Sequence, residues 1–346
     1  MAYDELMQGL ARVTVRATKP AEDFVWGQSV LFGGPEIGTD QDVINMETEV
    51  GEVVLPKEAV KGLDPTRVNY GVSFNLKRIG SAYYFPEDTL DLSAAKNRVF
   101  GEPVDQPWTV AQRELHLAAK KRDIMAQSFR AQKEKLSFEV ALSGKMTTKT
   151  EGEQVYPIAS ELLAVPGANF ITKPFETVNA AAKTLYEHGI TLSRIVLNPV
   201  DGGALVASTA WQTMLDKKKV TVGEIAPATV DSLGLAKIGT IIGVISGNVD
   251  VYVYAGYYRN EEGTVVYHIP QGKALLLQAG PIGSMGYTGI LTEENGVQAQ
   301  VAAKELFTIY NERKGALVTT KIQGQTAPVP VITNIDGYGV MTGIPA

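Results

Sequence analysis

The sequence from Thr109 to Leu142 contains neither glycine nor proline and has the pattern of one long helix. At about 1.5 Å per residue such a helix is about 50 Å long, comparable to a whole small domain. Its apolar residues recur at seven-residue intervals, at Val110, Leu117, Ile124, Ala131 and Phe138. Residues at this spacing form a narrow, slowly drifting row on one side of a helix. The pattern predicts a spine helix that lies on a flat surface and has an architectural role.

The predicted spine ends at Ser143-Gly144-Lys145, just before the β-prone sequence MTTKT. A Gly-Lys pair also closes phosphate-binding loops, but such a loop needs a glycine where this chain has Glu139. It also precedes a helix, whereas this pair follows one. We therefore interpret Gly144 as the residue that terminates the helix.

The composition is that of an ordinary globular protein, with 45% hydrophobic and 20% charged residues and a formal net charge of −6. There is no cysteine, which excludes disulfides and thiolate sites, and the three histidines are far apart in the sequence. The N-terminus lacks the unbroken apolar segment of a signal peptide, so we expect synthesis in the cytoplasm. The most apolar window, Ile238 to Ile245, is far shorter than the roughly twenty residues that span a bilayer. We expect no membrane partner, metal or other cofactor.

The first hundred residues indicate extended structure. Residues 1–50 have only short apolar runs and predict an arm that packs on other structure. Between residues 51 and 100, apolar side chains alternate at period two, for example at Val72, Phe74 and Leu76, which predicts a long two-stranded excursion. An isolated hairpin is barely stable in water. We therefore expect this excursion to rest on another subunit and not on the core of its own chain.

The sequence after the spine predicts a mixed α/β unit. Phe175 to His188 reads as a helix stopped by Gly189, Arg194 to Leu197 as a buried strand, and Pro199 to Trp211 as a further helix. The remaining predicted segments are strands at Thr240–Ile245, Val249–Tyr258, Thr264–Ile269, Ala274–Gln278, Leu306–Tyr310 and Ala316–Ile322, a glycine-rich connection at Gly280–Gly289, and a proline-rich tail at Thr326–Ile332.

No set of residues forms a convincing catalytic site. Ser284 lacks the glycine two residues earlier that a nucleophile elbow requires, because Ile282 is there, and it is expected in a flexible loop. His116 has no partner near it in the sequence and reads as a surface residue of the spine. The remaining acidic candidates lie in predicted turns or alone, at Glu261, Glu262, Glu293, Glu294 and Asp336. The spacing of Gly239, Gly243 and Gly247 indicates bends or close packing within strands. The sequence therefore predicts that the protein is not an enzyme and has no catalytic residues.

Basic residues outnumber acidic ones along the spine. The cations are Arg113, Lys120, Lys121, Arg122, Arg130, Lys133, Lys135 and Lys145, and the acids are Glu114, Asp123, Glu134 and Glu139. This excess could face the phosphates of a nucleic acid. Mixed signs at three- and four-residue spacing also fit a solvated helix face with local ion pairs, and we favour that second interpretation.

Several segments, in this order, resemble the major capsid proteins of tailed phages with the Hong Kong 97 fold, and more narrowly the lambda-type family. They are the early segment ETEVGEVVLPKEAVKG, the helix end ALSGKMTTK followed by Tyr156-Pro157, the hairpin VDVYVYAGYYRNEEGTVVYHIPQGKALLL and the terminal QGQTAPVPVI. The resemblance covers nearly the whole chain and implies an α+β fold. The parts that it implies are an N-terminal arm (1–50), an E-loop (51–100), a P-domain with the spine (101–174), an A-domain (175–290), P-domain return strands (291–325) and a C-terminal segment that returns to the A-domain (326–346).

The resemblance also implies a function and partners. The chain is expected to assemble into pentamers and hexamers of an icosahedral shell around the double-stranded DNA of a tailed phage, first as a procapsid that matures. Expected partners are other copies of itself, a separate scaffolding protein, a small decoration protein and the portal. The expected locations are the virion capsid and, during assembly, the host cytoplasm. Some relatives cross-link a Lys to an Asn, but nothing singles out Lys57, Lys61 or Lys77, and we predict no cross-link.

Two other functions remain open from the sequence. One is the shell of a cellular, encapsulin-like compartment, which would package an enzyme and not DNA. The other is a hydrolase whose site is not recognisable, against which the absence of a paired nucleophile and base argues.

Overall fold

The computed structural model describes residues 24–51, 72–90, 95–97, 99, 102, 107–149, 151–217, 220–221, 231–260, 262–294, 297–314, 317–335 and 337–345. Its α-helices are α1 (Val110–Ser143), α2 (Pro174–Glu187), α3 (Pro199–Ala207) and α4 (Thr209–Asp216). Short π- and 3-10-helical turns occupy Gly27–Leu31 and Leu162–Ala164. The helix α1 is the spine that the sequence predicts.

The strands of the described residues are, in chain order, β1 (Ile37–Gly38), β2 (Val43–Gly51), β3 (Val72–Gly80), β4 (Glu87–Leu90), β5 (Lys145–Thr148), β6 (Gly152–Val155), β7 (Val165–Pro166), β8 (Arg194–Leu197), β9 (Val220–Thr221), β10 (Leu235–Val244), β11 (Gly247–Tyr254), β12 (Tyr257–Arg259), β13 (Val265–Tyr267), β14 (Lys273–Leu277), β15 (Gly283–Tyr287), β16 (Gly289–Glu294), β17 (Val297–Ala302), β18 (Leu306–Lys314), β19 (Leu317–Gln325), β20 (Pro328–Ile332) and β21 (Tyr338–Thr342). Helices and strands are mixed along the chain, which confirms the α+β class.

The largest sheet has seven strands in the order β7-β21-β14-β8-β11-β10-β9. Its central strand β8 pairs parallel with β11 and antiparallel with β14. Ile195 and Leu197 of β8 face a core shared with α2, α3 and α4, whereas Val196 faces a second core shared with the spine. Burial on both faces explains why this strand is a continuous apolar run with no alternation.

The glycine-rich segment after Gly280 is not the flexible connection that the sequence predicts. Residues 283–287 form strand β15, which is buried along its whole length between β1 and β20. A Cβ atom at Gly283 would lie 2.2 Å from the carbonyl oxygen of Val331, and one at Gly286 would lie 2.4 Å from Ile44. These glycines are therefore required because other segments of the same chain approach closely, and not because the segment bends.

The proline-rich tail is also a strand. Pro328 and Pro330 lie in β20, at the outer side of the sheet β1-β15-β20. A proline has no N–H group to donate, so such an edge position tolerates it. The hydroxyl of Tyr156 donates to the carbonyl oxygen of Pro330 over 2.6 Å, which holds the tail against the end of the spine.

The predicted two-stranded excursion exists, but its base belongs to the subunit core. Strands β2 and β3 pair antiparallel from Val43 opposite Gly80 to Gly51 opposite Val72. The first strand therefore crosses the boundary that the sequence predicts at residues 50 and 51. Ile79 is fully buried in the core beside the spine, so the expectation that this excursion rests only on another subunit is wrong for its base.

Two smaller segments differ from the sequence prediction. The predicted strand Val249–Tyr258 is divided, because β11 ends at Tyr254 in the large sheet and β12 starts a separate short hairpin with β13. The predicted helix from Pro199 to Trp211 is also divided. Ser208 lies between α3 and α4, and its side chain caps α4 by accepting from the N–H of Trp211.

The row of seven-residue repeats on the spine does not form the face that packs on the chain itself. Val110 and Ile124 are exposed, and only Phe138 is buried. The packed face instead contains Met125 and Phe129, which lie about 100° and 140° around the helix from Ile124. The five-residue row does lie on one side of the spine, but Leu117 and Ala131 are only half-buried, so before Phe138 this side is at most partly covered by the chain itself.

Both ends of the spine are fixed by local hydrogen bonds. The hydroxyl of Thr109 accepts from the N–H of Gln112, and the Gln112 side chain accepts in return from the N–H of Thr109. Gly144 ends the helix in the left-handed conformation, with φ of +65°, and its N–H donates to the carbonyl of Val140. This confirms that Gly144 terminates the helix.

We predict that Gly144→Val destabilises the protein more than Lys145→Ala. A β-branched residue is strained at positive φ by more than about 1 kcal/mol, and its Cβ would lie 2.7 Å from Leu163. Lys145 is exposed, and its ion pair with Glu153 is worth at most about 1 kcal/mol. Thermal unfolding of the two purified variants measures the difference. Equal midpoints would show that the left-handed cap contributes nothing specific.

Candidate assembly interface

The described residues contain no cluster with the geometry of a catalytic or metal site. Among them, no group of three or more His, Asp or Glu side chains could hold a metal ion. Ser284 is buried in β15, so it is not in the flexible loop that the sequence predicts. His116 packs against the half-buried Trp108 with ring centroids 4.9 Å apart and the ring planes tilted by 53°. Glu261, Asp336, Lys57 and Lys61 lie outside the described residues. No helix in the described part of the chain is long and apolar enough to span a bilayer.

Four of the eight cations of the spine region, among them Lys145 just after the helix, form ion pairs with other segments of the chain. Lys133 pairs with Glu305 at 2.6 Å, Lys145 with Glu153 at 2.8 Å, Lys121 with Asp88, and Arg113 with Glu102 at 2.7 Å. Arg122 also pairs with its sequence neighbour Asp123 at 2.9 Å. The charges therefore join the spine to its neighbours in space more than they stabilise one face of the helix.

Glu102 holds the start of the spine against the preceding loop. Its two carboxylate oxygens accept from Nη2 and Nε of Arg113 at 2.7 and 2.9 Å, and also from the N–H groups of Trp108 and Val99. The Arg113 guanidinium, with these N–H donors, lowers the pKa of the Glu102 carboxyl to about 2. The carboxylate thus stays ionised in the folded chain at any ordinary pH.

Glu134 joins three separate parts of the chain. Its Oε1 accepts from the N–H of Gly27 at 2.7 Å and from the Tyr254 hydroxyl at 2.6 Å, and its Oε2 accepts from the N–H of Gln28 at 3.0 Å. Gly27 and Gln28 belong to residues 24–34, which we call the strap, and Tyr254 ends strand β11 of the large sheet. Burial raises the pKa of the Glu134 carboxyl to about 7, although all three donors favour the ionised form.

Aromatic rings surround this carboxyl. Phe138, one turn further along the spine, stacks on Tyr254 at 5.0 Å and on His268 at 5.2 Å, and Trp26 of the strap lies 5.9 Å from it. Burial lowers the pKa of the His268 imidazole to about 4, with a further contribution from the charge of Lys135. His268 is therefore a neutral packing residue at neutral pH.

The sequence analysis missed Glu134, Glu102 and the strap. Glu134 stands between Lys133 and Lys135 and reads as a surface residue, and nothing local marks it as buried. Trp26 gives a weak signal, because a tryptophan in an otherwise polar arm needs a surface to pack on. The partner surface is more than a hundred residues away in the sequence, so only the folded chain identifies it.

Several apolar side chains of the paired strands are exposed to solvent in the isolated chain. They are Leu291 and Val301 of the β16–β17 hairpin, Ile309 of β18, Leu76 of β3, and the neighbouring Tyr83 and Phe85. The β2–β3 and β16–β17 pairs are two-stranded sheets, which are marginally stable without further packing. This arrangement can form contacts with other protein surfaces and provides no reaction centre within the described residues.

Comparison with known proteins identifies related chains. The family model described as phage major capsid protein E matches residues 14–338. No curated protein sequence matches the chain. The structure is similar to that of a prophage capsid protein of Escherichia coli CFT073, with a TM-score of 0.64 and 15% identity over 98% of each chain. This likeness shows the same fold.

Two further solved structures are less similar. That of Mycobacterium phage Patience has a TM-score of 0.48 and 11% identity, over 99% of this chain and 88% of the other. The SrpI encapsulin of Synechococcus elongatus PCC 7942 has a TM-score of 0.41 and 14% identity, over 79% of this chain and 78% of the other.

We predict that Glu134 makes folding stability depend on pH. The carboxyl has a pKa near 4.5 in the unfolded chain and about 7 when folded, so the stabilisation is complete below pH 4.5 and is lost as the pH rises through about 7. This difference between the two pKa values corresponds to about 3 kcal/mol in the free energy of unfolding. Thermal unfolding of Glu134→Gln between pH 5 and pH 8 should show a smaller change of midpoint than the wild type.

The matched control is Glu187→Gln, because Glu187 is exposed at the end of α2. This variant should keep the pH dependence of the wild type. If Glu134→Gln also keeps it, the Glu134 carboxyl does not titrate in this range.

Proposed function

Because the chain belongs to the phage major capsid protein E family and is a shell subunit of a phage capsid, we propose that it assembles as pentamers and hexamers into an icosahedral shell around double-stranded DNA. The observation that carries this proposal is the family match over residues 14–338. The fold shared with the prophage capsid protein of Escherichia coli supports it.

The geometry of the described residues supports an assembling protein. Two-stranded sheets with exposed apolar residues gain stability when neighbouring chains cover them. In a closed symmetric assembly each such surface finds a complementary surface on another copy. We propose that the β2–β3 and β16–β17 pairs contact neighbouring subunits in this way.

We divide the chain according to this proposal. Residues 1–50 are the arm, 51–100 the E-loop, 101–174 the P-domain with the spine, 175–290 the A-domain, 291–325 the return strands of the P-domain, and 326–346 the C-terminal segment. Strand β2 begins at Val43 and pairs with β3, which supports an E-loop that starts before residue 51. The strap then forms the end of the arm that is fixed to the subunit core.

The proposed partners are other copies of this chain, a separate scaffolding protein, the portal, a small decoration protein on the outside and packaged DNA on the inside. The proposed locations are the mature virion and, before that, the host cytoplasm during procapsid assembly. We also propose that the protein has no enzymatic activity, which is what a structural capsid family implies. The encapsulin-like shell remains the second candidate and fits less well, because the family match is to phage capsid proteins.

Electron microscopy of the purified chain tests the proposal directly. We expect shells, tubes or capsomers in negative stain, and DNA, not a packaged enzyme, in particles from infected or induced cells. Compact monomers at every protein concentration would contradict the proposed assembly. Particles that contain a packaged enzyme would support the encapsulin-like function.

We predict that the tip of the excursion is needed for assembly but not for folding. Gly51 and Val72 are directly paired, so residues 52–71 can be replaced by an Asn-Gly turn without disturbing the β2–β3 ladder. The buried residues at the base, such as Ile79, are kept. The shortened chain should unfold within a few degrees of the wild type and form no particles of normal size.

The control is Glu187→Gln, an exchange at an exposed position of α2, outside the strand pairs that are proposed to contact neighbouring subunits. This variant should assemble normally. Particles of normal size from the shortened chain would show that the tip makes no required contact. A large loss of thermal stability would show that the tip belongs to the subunit core.

A further inference from the structure

The second half of the strap is built into the subunit core. The N–H of Ile282 donates to the carbonyl oxygen of Leu31 over 2.8 Å, and the N–H of Gly34 donates to that of Gly283 over 3.0 Å. Leu31 and Phe32 are also buried in the core beside the spine. Main-chain bonds and apolar burial together fix this half of the strap, so it is not free to move alone.

The first half of the strap, residues 24–28, is attached in a different way. Its main chain makes no hydrogen bond to the main chain of any other described segment. The N–H groups of Gly27 and Gln28 donate instead to the carboxylate of Glu134 on the spine. The ring of Trp26 packs on the aromatic rings around that carboxylate. This half can therefore separate from the spine without breaking a β-sheet.

The carboxylate that holds this half is buried without a cation. Glu134 is 1% exposed, and among the described residues no Lys, Arg or His side chain forms an ion pair with it. The cations beside it on the spine are engaged elsewhere or point to solvent. Lys133 pairs with Glu305 at 2.6 Å, Lys135 lies over an aromatic ring of β12, and Arg130 is exposed. An ionised carboxylate at this position therefore lacks the partner that usually offsets its burial.

The other groups around this carboxyl keep one charge state between pH 5 and pH 8. Residues 24–28 contain no ionisable side chain. From β11, burial raises the pKa of the Tyr254 hydroxyl, so this group stays protonated. From the segment after β13, burial lowers the pKa of the His268 imidazole to about 4, so this group stays neutral. The proton of Glu134 is therefore the one that changes at this joint in that range.

Separation of residues 24–28 from the spine would expose the Glu134 carboxyl to water. The pKa of a glutamate carboxyl is then near 4.5, whereas burial raises it to about 7 in the closed form. The closed form thus keeps a proton that the open form loses. Closure is fully stabilised by this proton below pH 4.5, and the stabilisation is lost as the pH rises through about 7.

We propose that residues 24–28 form a proton-dependent latch, which is closed on Glu134 when its carboxyl is protonated and opens more readily when the carboxyl is ionised. The second half of the strap stays in place during this opening. The latch is a property of the single subunit and goes beyond the shell function. In a shell it would make the attachment of the arm to its own subunit depend on pH.

Hydrogen–deuterium exchange of the unassembled full-length protein, followed by mass spectrometry, tests the latch. Exchange rates at pH 5 and pH 8 are each divided by the chemical exchange rate at that pH, which leaves the opening equilibrium. For peptides that contain residues 24–28 we expect opening to increase at least about tenfold from pH 5 to pH 8. Peptides from the central strand β8 should remain more strongly protected at both pH values.

Three variants assign the effect to the carboxyl. Glu134→Gln should abolish the dependence of opening on pH, because the amide does not titrate. Glu114→Gln is the matched control, since it removes a carboxylate from the same helix away from the strap, and it should keep the wild-type increase. Tyr254→Phe retains the ring but removes a donor that favours the ionised form, so it should enlarge the increase. The third variant keeps the test decisive if Glu134→Gln does not fold.

Four results would overturn the proposal. The first is equal corrected exchange of residues 24–28 at pH 5 and pH 8, and the second is an unchanged increase in Glu134→Gln or in Tyr254→Phe. The third is greater opening at pH 5 than at pH 8, which would assign the titration to His268, because an exposed imidazole gains a proton at low pH. The fourth is an equal increase in β8, which would mean that the whole subunit opens. Particle formation is not measured here, so none of these results bears on the shell function.

Discussion

The arrangement of this subunit depends on one buried carboxyl group. Glu134 accepts hydrogen bonds from the strap and from the end of β11, so the arm, the spine and the large sheet meet at two oxygen atoms. An unpaired carboxyl at this depth would be strongly unfavourable, so each of the three partners must be in place for the others to be stable. The rings of Trp26, Phe138 and Tyr254 pack around the carboxyl and exclude water from it. Directional hydrogen bonds to a carboxyl group that is surrounded by apolar side chains specify one arrangement of these segments, whereas apolar packing alone tolerates several.

The sequence predicts the regular parts of the fold because their signals are local. The helix α2 with its stop at Gly189, the strand β8 and the end of the spine at Gly144 all follow from short patterns. The errors arise where a distant part of the chain determines the conformation. The sequence of strand β15 resembles a loop because it is rich in glycine. Its glycines are required because Val331 and Ile44, which are far away in the sequence, leave no room for a side chain.

Contacts between distant parts of the chain also determine the features of the site that the sequence does not predict. The seven-residue spacing predicts a row on one side of the spine, but the spacing does not show whether the chain itself or another molecule covers this row. Glu134 could not be recognised, because a glutamate between two lysines has the same local pattern whether it is solvated or buried. The resemblance to capsid proteins gave the fold class and the function, and the family match confirms both.

The two halves of the spine have different surroundings, and this difference follows from where the cores lie. From Leu136 to Leu142 the helix is buried on nearly every side by the strap, β20 and the large sheet. Towards its start, beyond the small cluster of Leu90, Met125 and Ile322, the helix is held mainly by ion pairs and by the Glu102 clamp. Ion pairs keep a helix in place without covering its apolar side chains, because charged groups pair at their tips and leave the adjacent surface open. The first half of the spine is thus tied to its neighbours mainly at polar points, while Val110, Leu115 and Ile124 stay exposed.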